Sequence, residues 1–70
     1  MATVVTVVNK GVRFWLKATT WSFSLDRADR FETVELARAA IVRASRFNNA
    51  KLMRRVELWD EAMALKEVTS

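Results

Sequence analysis

The chain has 70 residues, with twelve Lys/Arg against eight Asp/Glu, a net charge of +4 and a pI near 10.4. It contains no histidine, cysteine or proline and one glycine, which excludes Ser–His and Cys–His pairs, disulfides, the usual zinc sites and a Gly-rich phosphate loop. Such a chain forms one small domain over residues 1–70, with a modest core that self-association or a partner can complete.

Residues 2–8 are valine and threonine after Ala2, the β-branched types that suit a pleated surface. Asn9-Lys10-Gly11 supplies turn residues, with Gly11 free to take a positive φ. From Val12 to Lys17 the chain alternates: Val12, Phe14 and Leu16 share one face, and Arg13, Trp15 and Lys17 the other. Two such runs about a glycine turn predict a β-hairpin. The apolar N-terminal run lacks a basic leader and a sustained apolar core, so it is not read as a signal peptide. No stretch approaches the roughly 20 apolar residues that span a bilayer.

Trp21–Ser24 reads as a short third strand or an irregular link. Ser24 can cap a single helical turn over Leu25–Asp29. Thr33 is the better N-cap, with Glu35 in the first turn, where the helix dipole favours negative charge. A helix is predicted from Val34 to about Phe47, with Val34, Ala37, Ala40, Ile41, Ala44 and Phe47 on one stripe. Asn48-Asn49 supplies its stop. Over 50–68, propensity favours helix, while the alternation of Arg54, Val56 and Leu58 with Met53, Arg55, Glu57 and Trp59 fits a strand. A lone hairpin needs a further strand or a covering helix. That requirement favours a strand over Leu52–Trp59, with Ala62–Val68 returning beside it.

The fold expected is therefore α+β: a small antiparallel sheet, made of an N-terminal hairpin and a C-terminal strand or hairpin, covered on one face by a single helix at about 34–47. A hairpin with two helices is the alternative.

The pattern Trp21-Ser22…Leu25…Ala28…Phe31…Thr33…Ala37 resembles a motif of short phage and prophage accessory proteins, which run strand, strand, motif, helix, strand. The resemblance covers nearly the whole chain. It implies a βα architecture and a phage setting, and it transfers no catalytic residue. The chain departs from the pattern in its alanine-rich helix and its helix-prone tail. In physical terms, the spacing of Trp21, Leu25, Ala28 and Phe31 suits a tight turn that folds onto the sheet and plugs the end of the core.

Asp26-Arg27-Ala28-Asp29-Arg30 reads as a solvated, mutually paired surface, not as acid–base machinery. By thirds the charge is +3 over residues 1–25, +1 over 26–50 and zero over 51–70. Lys51, Arg54 and Arg55 form a small basic cluster, read as a solvated face. A sheet covered on one side leaves its other side open, and that side would carry Arg13, Trp15 and Lys17 with Met53, Arg55 and Trp59. These six are the expected partner-binding residues, since Trp, Met and Arg are enriched at interfaces. The competing reading packs Trp15 and Trp59 on each other or in a second core layer.

The function expected is a non-enzymatic phage-type accessory protein that binds and inhibits or redirects a host protein complex, in host takeover or anti-defence, including the anti-CRISPR class. It would act in the bacterial cytoplasm, without cofactor, metal or membrane. Alternatives are a nucleic-acid-binding module using Arg13, Trp15, Lys17, Arg55 and Trp59, and a self-assembling structural protein or homodimer.

Overall fold

The computed structural model describes residues 2–69; Met1 and Ser70, the ends of the expected 1–70 domain, lie outside them. The N-terminal hairpin forms as read: β1 is Thr3–Asn9 and β2 is Val12–Lys17, antiparallel, with Asn9 opposite Val12. Between them Lys10 and Gly11 both take positive φ, 54° and 78°. That pair of signs matches the type I′ turn, whose twist suits a hairpin. A second tight turn follows, and β3, Thr20–Ser22, returns beside β2 with Lys17 opposite Thr20.

The tail supplies the fourth strand, but a shorter one than the sequence predicts. β4 is Glu57–Asp60 and pairs antiparallel with β1, Val4 lying opposite Trp59 and Val5 opposite Leu58. The sheet order is β3-β2-β1-β4. Residues 52–56 do not extend the strand. Helix α1 is Val34–Ser45, and a short second helix, α2, Ala50–Met53, opens where the Asn49 side chain accepts the Lys51 amide at 2.7 Å. Nor does 62–68 return as a strand: it lies in helix α3, Glu61–Thr69. The Asp60 carboxylate accepts the Ala62 amide at 3.0 Å, so the last strand residue is also the helix cap.

α1 starts at Thr33 as predicted, the hydroxyl accepting the Leu36 amide, and it ends two residues before Phe47. Its buried positions are Ala37, Ala40 and Ala44, which pack on Val5 and Leu16, with Trp21, Phe31, Ile41, Met53, Val56 and Leu58 around them. Small side chains let the helix axis approach the sheet closely. The outer members of the predicted stripe, Val34 and Phe47, stay exposed.

The other sheet face is covered too, which corrects the expectation of a single covering helix. Val4 and Trp15 pack there with Leu25 and Ala28 of the turn after β3 and with Ala64 of α3, and Trp59 closes the cluster. The capped turn over Leu25–Asp29 is a 3-10 turn, Leu25–Arg27, with Ser24 as its N-cap. Phe31 forms a bridge with Thr3, where the two backbones exchange hydrogen bonds of 2.7 and 2.9 Å. Leu25 and Ala28 thus fold back onto this face, whereas Trp21 and Phe31 of the same motif pack on the α1 face, so the four residues are divided between the two sides of the sheet instead of plugging one core.

Candidate functional site

The six residues expected to share an open face are divided by the sheet. Trp15 is 2% exposed and meets Trp59 edge-on, ring centroids 5.8 Å apart. Arg13 lies over the Trp59 ring at 4.2 Å and donates to the Thr6 hydroxyl at 3.2 Å. That hydroxyl in turn donates to the Phe14 carbonyl, so the one buried polar side chain of this region is satisfied. Arg13, Trp15 and Trp59 therefore form a second core layer with a cationic lid. The open working face around Trp15 does not exist, because α3 and the 3-10 turn occupy it. Lys17 pairs with Asp29 at 3.3 Å. Met53 lies across the sheet in the α1 core. Arg55 stands apart from the other five, exposed in the link between α2 and β4.

The charged turn 26–30 also pairs differently from the mutual pairing expected. Asp29 holds the second hairpin turn, accepting Lys17 and the Ala18 amide, the latter at 2.7 Å. Arg30 donates to Glu61 at 2.6 Å and to the carbonyls of Leu25 and Ala28 at 2.7 and 2.6 Å, tying the turn to α3. These charges brace the fold.

A candidate surface lies on the α1–α2 side. Toward the β1–β2 turn, cover of the sheet passes from α1 to Leu52 of α2. An apolar depression of about 230 Å³ remains there, lined by Val7, Asn9, Phe14, Trp21 and Leu52. A second depression of about 220 Å³ adjoins it, sharing Asn9 and Leu52 and adding Asn49, Lys51 and Arg55. Trp21 is fixed by Asn48, whose side-chain oxygen accepts the indole N–H at 3.1 Å while its amide donates to the carbonyls of Thr19 and Ala44. Phe14 meets Phe23 at a centroid distance of 4.9 Å, and Phe23 is 77% exposed.

The chain segment that contributes Lys51, Leu52 and Arg55 to these depressions is rich in cations. From Leu36 to Val56 the chain holds Arg38, Arg43, Arg46, Lys51, Arg54 and Arg55 and no acidic residue. All six cations are exposed, and neither the Lys17–Asp29 nor the Arg30–Glu61 ion pair involves any of them. Counting charge by thirds hides this stretch, because each window dilutes it with acids from Asp26–Glu35 or Glu57–Glu67. The signal that finds it is the 21-residue gap between Glu35 and Glu57.

Among the described residues, no group of three or more acidic side chains comes together to hold a metal ion, and no helix is long and apolar enough to cross a membrane. A scan against protein-family models and searches of curated proteins and solved structures return no match to this chain.

Proposed function

We propose that this chain is a non-enzymatic binding protein of the phage accessory type its motif resembles. It binds and inhibits or redirects a host complex by laying its α1–α2 side against an acidic surface of that complex. The observation that carries this reading is the acid-free segment Leu36–Val56, with six exposed cations outside the internal ion pairs. Unpaired cations on one side of a small molecule create a field that speeds encounter with a negative surface and sets its orientation. Exposed Phe47 and Val42, 73% and 61% accessible, add apolar contact area within the same segment.

The test is charge reversal. The triple variant Arg46→Glu, Arg54→Glu, Arg55→Glu should lower recovery of the partner from bacterial host cells by about tenfold or more, loss of complementary charge being worth at least one decade in affinity. Its circular dichroism spectrum and melting midpoint should stay near wild type, because none of the three side chains is buried. Undiminished recovery of the same partner by the triple variant refutes the assignment of the surface.

A further inference from the structure

We infer that the acidic ligand of the α1–α2 side is single-stranded nucleic acid, with an unstacked base seated in the Val7–Phe14–Trp21–Leu52 depression and its phosphate held by Lys51 and Arg55. The inference rests on the function proposed above and names the chemistry of its partner.

Three observations meet at this place. The inner depression offers two aromatic side chains, Phe14 and Trp21, with Leu52 and Val7. Aromatic walls accept any base by its π-face. The adjoining depression supplies Lys51 and Arg55, and the two share Asn9 and Leu52, so base slot and cations are neighbours. Finally, Arg38, Arg43, Arg46 and Arg54 belong to the same acid-free segment, all exposed, and add positive charge to α1 and to the end of α2. Five of its six cations are arginine, the side chain suited to bidentate phosphate contacts.

Single strands fit better than duplex because a paired, stacked base cannot enter a recess of about 230 Å³. An acidic peptide would satisfy the cations but has no general use for an aromatic slot beside them. The slot is also held ready. Trp21 is fixed by Asn48 at 3.1 Å, and Phe14 sits on a strand of the hairpin, so little ordering is required on binding.

The experiment measures binding of fluorescein-labelled oligothymidylate, about 15 nucleotides long to cover one site, to the full chain by anisotropy. A duplex of equal length and a poly-glutamate peptide serve as comparisons, and tryptophan emission is followed in parallel. The result expected is tighter binding to oligothymidylate than to duplex, with affinity falling steeply between about 50 and 200 mM salt. Emission should be quenched on binding, and the quench should disappear in Trp21→Phe, because Trp15 and Trp59 pack on the opposite sheet face. Lys51→Glu with Arg55→Glu should weaken binding about tenfold or more, and Arg38→Glu with Arg43→Glu distinctly less, since a phosphate contact at the slot outweighs diffuse field.

Equal affinity for duplex, with no tryptophan quench, overturns the inference and leaves the broader charge reading standing. Displacement of the oligonucleotide by poly-glutamate at matched charge overturns it in favour of an acidic protein. No binding to any of the three polyanions at low salt overturns the inference together with the charge reading beneath it.

Discussion

Ala18, like Lys10, takes a positive φ that a residue with a Cβ does not suit. It opens the two-residue turn between β2 and β3 with φ = 56°, while the Asp29 carboxylate accepts its amide. A side chain with a Cβ is penalised in this region, and glycine is not. Ala18→Gly should therefore stabilise the fold by about 1 kcal/mol. In a domain of this size that corresponds to a rise of roughly 4–8 °C in the melting midpoint, read by thermal denaturation; an unchanged or lower midpoint contradicts the argument. Gly11 is the converse case, a residue already matched to its φ of 78°. Its role was legible in the sequence because glycine after Asn-Lys between two β-branched runs has few other uses. Ala18 was not legible, since nothing in Leu-Lys-Ala-Thr-Thr distinguishes a tight turn from continued strand. The turn is set by Asp29, eleven residues later in the chain.

At the scale of elements, the junction from Trp21 to Ala37 was the readable part. Caps at Ser24 and Thr33 are local chemistry, and both act as the sequence predicts. The stretch after Asn49 departs from the strand over Leu52–Trp59 and the returning Ala62–Val68 that its alternation predicts. Its average propensity is helical and its alternation is strand-like, and both signals are real in different places. Two side-chain caps, Asn49 and Asp60, divide it into helix, strand and helix. The brace across these elements is Arg30, which joins the 3-10 turn to α3 through one carboxylate and two carbonyls. Arg30→Ala should cost about 1–3 kcal/mol, because two carbonyls lose a charged donor and Glu61 loses its partner. Urea denaturation reads this as a lower midpoint at unchanged slope, and an unchanged midpoint would reduce Arg30 to a spectator. The carboxylate partner of Arg30, Glu61, lies 31 positions away, so no local pattern announces it.

For the whole molecule, the decisive question is which side of the sheet is free. Alternation correctly placed Arg13, Trp15 and Lys17 on one face, but alternation does not say what covers a face. The answer came from α3, whose one buried side chain among those described, Ala64, meets Trp15's layer. Trp15→Ala should remove about 3–5 kcal/mol, the usual cost of deleting a buried tryptophan. That is a large part of the stability available to 70 residues. Loss of the cooperative melting transition is the expected reading, and a folded, partner-competent Trp15→Ala protein would show that this layer is dispensable. The candidate site was half legible: Lys51 and Arg55 were visible as a basic cluster, and Phe14 and Trp21 as aromatics. Their meeting depends on α2 crossing the end of the sheet, a matter of long-range packing that no spacing rule encodes.

β1 pairs with β2, with β4 and, at its start, with Phe31, so one strand of seven residues serves three partners. Two of them arrive early in the chain, whereas β4 begins 48 residues after β1 ends. During synthesis the hairpin can close as soon as β2 leaves the ribosome, but the edge of β1 that β4 will occupy stays bare. Trp15 lacks the part of its cover that Trp59 and Ala64 supply for as long as β4 and α3 are unmade. Maturation of this molecule is therefore gated by the segment Glu57–Thr69, and a nascent chain stalled near Val56 would present both a free strand edge and a half-covered indole to the cell's chaperones.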